Sequence, residues 1–225
     1  MIGIFSPLPH EMAKVVPYFK GIQKKGEFYL GKYKSLSIAF GSFGMGEEGA
    51  CHFFSLPILS QLDGILFVGC AGALVEDIKT LDSFLAPPAG FWDGQKIHNA
   101  SFDRNEEWDS RLSLPQIPSL TSKVLLSSLE EKKNLPSQGF SLVEMENFFL
   151  LQEAEKKGFR KPILFLRVIL DSLERDLPPF GPNLTVRALF KNFLLFPHKM
   201  FWLARFFPKV QKRIAQLVLE FLHTF

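Results

Sequence analysis

Two carboxylates separated by one residue, Glu144 and Glu146, close an apolar run in Ser141-Leu-Val-Glu-Met-Glu-Asn147. On a strand, alternation sends both glutamates to one face and Met145 to the other. Like charges in contact raise each other's pKa, so such a pair calls for a hydroxyl-rich ligand, a basic side chain or a metal. The other reading is that the strand has ended and both acids open a solvated helix, which the following Asn-Phe-Phe-Leu-Leu-Gln-Glu-Ala-Glu-Lys-Lys allows. Further along, Arg167 interrupts an apolar strand over residues 162–170 that ends on Asp171. A buried arginine needs a carboxylate partner, and Glu144, Glu146 and Asp171 are the available acids.

A repeated strand-then-helix succession positions these groups. Residues 2–5 form a buried first strand, and Glu11 opens a segment of helical spacing. An acid at the C-terminal mouth of a first strand lies where open α/β sheets place ligands, although one acid at a helix N-terminus also has a purely electrostatic explanation. Residues 28–33 and 36–40 read as a hairpin through Lys34 and Ser35. The glycine-rich Gly41-Ser-Phe-Gly-Met-Gly-Glu-Glu-Gly-Ala50 then opens a helix over 51–59. Glycines there, Gly44 among them, let backbone amides approach a sugar or phosphate closely, and a tight strand-to-helix turn needs them too. Residues 64–69 are a buried strand followed by Cys70-Ala-Gly-Ala, small residues that leave room for a ligand. Residues 87–118 read as loop and short strands in which Trp92 and Trp108 serve packing. A strand over 120–126 and a short polar helix over 127–133 lead to the glutamate pair, and a helix over 147–157 stops at Gly158. The expected class is α/β, with a sheet covered on both faces.

Length and composition narrow the function. The 225 residues suit one sizeable core, the net charge of +3 is too small to point to nucleic acid, and 25 phenylalanines stand against 3 tyrosines. Cys51 and Cys70 have no disulfide or zinc spacing, no run reaches the ~18 apolar residues of a membrane span, and the N-terminus is unlike a signal peptide. A cytoplasmic protein is expected.

With Glu11, Gly-Cys-Ala-Gly-Ala, Val-Glu-Met-Glu and Arg-Val-Ile-Leu-Asp in this order, residues 1–176 resemble the nucleoside phosphorylase/nucleosidase superfamily. The likeness is to its branch of methylthioadenosine/S-adenosylhomocysteine nucleosidase, futalosine hydrolase and hopanoid-associated phosphorylases. The resemblance implies a three-layer α-β-α fold with a central mixed β-sheet that cleaves the N-glycosidic bond of a purine, adenine-type nucleoside without metal or cofactor. Carried over position by position, Glu146 grips the ribose hydroxyls, Met145 packs on the sugar, Asp171 protonates the base at N7 and Glu11 orients water. Cys70, Ala71 and Gly72 form a small-residue turn facing substrate, and Arg167 holds the acids. Burial is expected to raise the Asp171 pKa, with Arg167 keeping Glu144 or Glu146 ionised. Phe67 stands where phosphorylases of the superfamily carry an arginine, which favours water over phosphate, although the amides of residues 42–46 remain candidates for an anion. Leu170 and Cys70 replace common serines, and the nearest candidate for a base-stacking position is the strand over residues 124–126. Phosphorolysis and non-catalytic nucleoside binding are the competing readings, and a homo-oligomer is expected.

Residues 177–225 change character. After Leu-Pro-Pro-Phe-Gly-Pro come segments over 185–207 and 208–225, in which Phe190, Phe193, Leu194, Phe201, Trp202 and Phe206 alternate with Lys191, Lys199 and Arg205. From residue 183 onward there are seven Lys or Arg and one acid, Glu220. Such helices suit the domain surface, a second subunit or an anionic membrane surface.

Overall fold

The computed structural model describes residues 1–100, 105–126, 128–133, 135, 139–173, 177 and 195–225. The linker 178–182, the expected segment over 185–194 and the boundary at Asp176 lie outside the described residues.

The apolar runs become the centre of one mixed sheet. Strands β1 (Ile2–Ser6), β5 (Gly64–Ala73) and β11 (Ile163–Asp171) run parallel, with β5 between the other two. On the far side of β1 lie β4 (Leu36–Ser42), β3 (Phe28–Tyr33) and the edge strand β2 (Lys20–Lys25). Lys34 makes the expected hairpin turn at φ 52°. The outer half of β5 pairs with β10 (Leu142–Glu144), followed by β9 (Ser119–Ser122), β7 (Pro88–Trp92) and β8 (Ile97–Asn99). β6 (Ser83–Leu85) flanks β11.

Alternation along the central strands builds two cores. Phe5, Ile65, Phe67, Ile163 and Phe165 face α1 (Gly46–Phe53) and α4 (Asn147–Lys156), where they meet Ala50, Phe53, Phe149, Leu150 and Ala154. Phe53 centres this layer, with ring centroids 4.7 Å from Phe5, 5.1 Å from Phe67 and 5.6 Å from Phe43. Ile4, Leu66, Val68, Leu164, Leu166 and Val168 face the opposite way, onto Val210, Ile214, Val218 and Phe221 of the C-terminal helix. The result is helix, sheet, helix, a three-layer α/β fold. Trp108, on the short α2 (Glu106–Asp109), packs 5.3 Å from Phe221, in keeping with its expected structural role.

Four local expectations are corrected. The segment after Glu11 is two 3-10 turns, Pro9–Met12 and Val16–Tyr18, because Pro17 has no N–H with which to continue a helix. The helix expected over 51–59 starts at Gly46 and ends at Phe53, ahead of a 3-10 turn at Pro57–Gln61, since Gly44 (φ 93°) and Gly46 (φ 64°) already make the turn. The strand expected over 120–126 stops at Ser122. The Cys70–Gly72 stretch is strand rather than turn: Cys70 pairs with Val168, Ala71 with Ile169 and Gly72 with both Asp171 and Val143, so ladders on both sides keep it extended.

The last helix, α5 (Pro197–Leu222), runs through Pro208 without the expected break between 207 and 208. Its C-terminal half is core, whereas Phe201 is 70 % exposed. Among the described residues no helix is long and apolar enough to cross a membrane.

Candidate active site

The sequence-selected acids lie in two groups at the C-terminal ends of the parallel strands β1, β5 and β11, the end of an α/β sheet where ligands bind. Glu11 sits on the 3-10 turn after β1 and turns inward. Its Oε2 accepts from the Leu8 amide at 3.0 Å and its Oε1 from the Cys70 amide at 2.9 Å. Burial raises its pKa, and the two amides and Arg167 partly oppose that rise. Cys70 is held as a neutral thiol, pushed well above the usual range by burial and by Glu11.

Arg167, fully buried on β11, is the cation of this cluster. Its Nη2 lies 3.6 Å from Glu144 Oε2 and 4.0 Å from Glu146 Oε2. A Cβ added at Gly69 would fall 3.1 Å from Glu11 Oε1 and 3.2 Å from Arg167 Nη1, so the missing side chain on β5 is what lets these two groups approach. Arg167 also donates to Asn147 Oδ1, and Asn147 Nδ2 is anchored on Ala86 O at 2.8 Å and Ser119 Oγ at 3.1 Å. Among the described residues the buried Arg167 Nε has no hydrogen-bond partner.

The glutamate pair divides into two roles. Glu144 ends β10, and its Oε2 accepts the amides of Glu146 and Asn147, both at 2.7 Å, at the start of α4; Thr121 donates to Oε1. It is a structural carboxylate that caps a helix N-terminus. Glu146 lies past the strand end but stays buried, its carboxyl accepting from the Gly46 amide at 3.3 Å. Burial, the neighbouring Glu144 and Glu11 outweigh Arg167, and its pKa is pushed up to about 8. Neither acid belongs to a solvated helix. Met145 between them is half-buried.

Asp171 stands apart from Arg167 and forms an ion pair with Lys132, whose Nζ also approaches the Asp171 carbonyl at 3.5 Å. Both side chains are buried. The register of β11 slips between Ile169 and Asp171, with Leu170 as the extra residue, and such a slip re-aims the side chain that follows. A Cβ added at Gly72 would lie 3.1 Å from Lys132 Nζ and 3.2 Å from each Asp171 oxygen. The Arg167 cluster borders Gly69 and the Lys132 pair borders Gly72, three residues further along β5, a rise of about 10 Å along the strand axis.

Lys132 is the participant that sequence reasoning missed. It sits on α3 (Leu129–Lys133), whose start is fixed by a reciprocal bond: the Ser128 amide donates to Glu131 Oε2 at 2.8 Å and the Glu131 amide to Ser128 Oγ at 3.2 Å. The Ser-x-x-Glu pattern announces that helix start. Nothing in Leu-Glu-Glu-Lys-Lys singles out Lys132, whose charged neighbours are exposed. Val124, in the stretch considered for base stacking, is 61 % exposed.

No protein-family model matches the chain, and no curated protein matches it in sequence. Solved structures do match in shape. The futalosine hydrolase of Helicobacter pylori superposes with a TM-score of 0.73 at 19 % identity, covering 100 % of this chain and 97 % of that one. The fold is the phosphorylase/nucleosidase fold. The 5'-methylthioadenosine/S-adenosyl homocysteine nucleosidase of H. pylori matches it at 0.73, with 18 % identity and coverage of 100 % and 98 %. The S-adenosylhomocysteine nucleosidase of Streptococcus pyogenes matches at 0.73, with 14 % identity and coverage of 99 % and 96 %.

Proposed function

We propose that the protein hydrolyses the N-glycosidic bond of a purine nucleoside. The observation that carries this reading is the separation of two buried charge clusters along β5: Glu11, Glu146 and Arg167 beside Gly69, and Asp171 with Lys132 beside Gly72. The two ends of a nucleoside differ in the same way. Ribose offers hydroxyls to carboxylates, and the purine offers ring nitrogens to a proton donor.

Bond cleavage leaves an oxocarbenium-like sugar and an electron-rich base. The buried Asp171–Lys132 pair holds one transferable proton, which passes through the Asp171 carboxyl to N7, and the electron pair of the C1′–N9 bond leaves with the purine. Glu11, held by two backbone amides, orients a water for attack at C1′ and takes its proton. Glu146 binds ribose hydroxyls, Met145 packs on the sugar, and Cys70, Ala71 and Gly72 line the strand edge on which the substrate lies. Gly44 lets the backbone turn close to the ribose, and Arg167 is a positioning residue.

Water is favoured over phosphate by the local chemistry. Phe67 is core, stacked 5.6 Å from Phe165. Three of the loop amides that could have held an anion are taken: Phe43 donates to Ser6 O and Gly44 to Pro7 O, each at 3.1 Å, and Gly46 to Glu146. Glu47 and Glu48 occupy the first turn of α1, where they oppose an anion. The neighbours' names, nucleosidase and hydrolase, point the same way.

The test is release of base from a panel of purine nucleosides differing at the 5′ position, with and without phosphate, in the wild type and in Asp171→Asn. Phosphate-independent release, reduced about 100-fold or more in the variant, supports the reading. Release that requires phosphate would make the enzyme a phosphorylase.

A further inference from the structure

The charge placed beside Asp171 bears on which purine the site accepts. Lys132 is buried, its ammonium bonded to Oδ2 and to the backbone carbonyl of Asp171, and it borders the same point above Gly72 as both Asp171 oxygens. Its position is built rather than incidental. The Ser128–Glu131 reciprocal cap fixes the start of α3, and Leu135 closes its end by donating to the Lys132 carbonyl at 3.3 Å. We propose that Lys132 selects the base, presenting its ammonium to the 6-position so that 6-oxopurine nucleosides are preferred over 6-aminopurine ones. This rests on the nucleosidase reading and replaces the adenine-type base that the sequence resemblance implies.

The argument is one of donors and acceptors. An ammonium has three N–H donors and no acceptor. A 6-oxopurine turns two acceptors, O6 and N7, toward one side of the ring; with two of the ammonium's donors on Asp171, the third serves O6 while N7 faces the Asp171 carboxyl. A 6-aminopurine turns N7 and an N–H donor toward that side, so Lys132 would set donor against donor and leave a buried polar group unpaired. A carboxyl group alone could serve the amino edge, donating to N7 and accepting from N6. The ion pair sets the donor-only group beside that carboxyl.

The experiment is equilibrium binding of two free bases, hypoxanthine and adenine, to the full chain, alongside cleavage of inosine and adenosine. Free bases avoid any dependence on the 5′ substituent or on turnover. Hypoxanthine should bind at least about tenfold more tightly, the discrimination typical of one hydrogen bond to a charged group. In Lys132→Met, checked for folding by circular dichroism, that advantage should shrink toward parity. Equal or tighter adenine binding overturns the proposal, as does a preference that survives in folded Lys132→Met or the binding of neither base. If Lys132→Met does not fold, the wild-type ratio decides. Cleavage of both nucleosides with adenosine favoured would refute the base assignment alone, whereas absence of turnover beside tight hypoxanthine binding would refute the hydrolase reading alone.

Discussion

Replacing Glu146 by glutamine should make the folded protein less sensitive to rising pH. Glu146 is pushed from an ordinary 4.5 to about 8 by burial and by Glu144. Between those values the unfolded chain is ionised there while the folded one holds a proton, so folding takes up a proton and stability falls as pH rises. One proton corresponds to a slope of ~1.4 kcal/mol per pH unit. Across the window the wild type loses on the order of 5 kcal/mol relative to a chain with a neutral side chain at this position. Glutamine keeps the shape of the protonated acid and can still accept from the Gly46 amide. Urea unfolding of wild type and Glu146→Gln at pH 5, 6, 7 and 8 reads the effect of Glu146 together with its buried neighbours Glu144 and Glu11, because titrating groups remote from them cancel in the difference. The variant should gain on the wild type with each step upward in pH. A difference that does not change with pH would refute the assignment of a buried, protonated Glu146.

Three further perturbations test neighbouring parts of the account. Arg167→Met should destabilise by about 3–5 kcal/mol in a denaturant melt, because it leaves Glu144 buried without its cation. Gly69→Ala would push a methyl group between Glu11 and Arg167, so turnover should fall on the order of 100-fold while the melting temperature changes modestly; an unchanged rate would place the chemistry elsewhere. Phe221→Ala should cost about 3–5 kcal/mol, since this ring is fully buried beneath the sheet and touches Trp108; a surface-only role for α5 would give almost no loss.

Much of this arrangement was legible from residue types because it follows from local pattern. Residues 64–69 and 162–170 are apolar on both alternating faces, which only a central parallel strand with helices on each side accommodates. Arg167 in such a strand announced a buried carboxylate partner, and the structure supplies Glu144 and Glu146. What remained hidden depends on contacts distant in sequence. Lys132 reaches Asp171 across 39 residues, from a charged run that reads as solvated. Glu144 is a structural carboxylate rather than half of a ligand pair because Thr121 and the first amides of α4 meet it. The register slip at Leu170 leaves no mark in an otherwise uniform apolar run. Residues 70–72 read as a turn from their small size, and only the ladders on both sides show why they stay extended.

The most direct measurement of the central claim is a single turnover of a purine nucleoside in isotopically labelled water without phosphate. The account predicts a free sugar carrying one solvent oxygen at C1′ for each base released, and loss of that product in Asp171→Asn. Sugar 1-phosphate formed only when phosphate is added, or no release of base from any purine nucleoside, would contradict it.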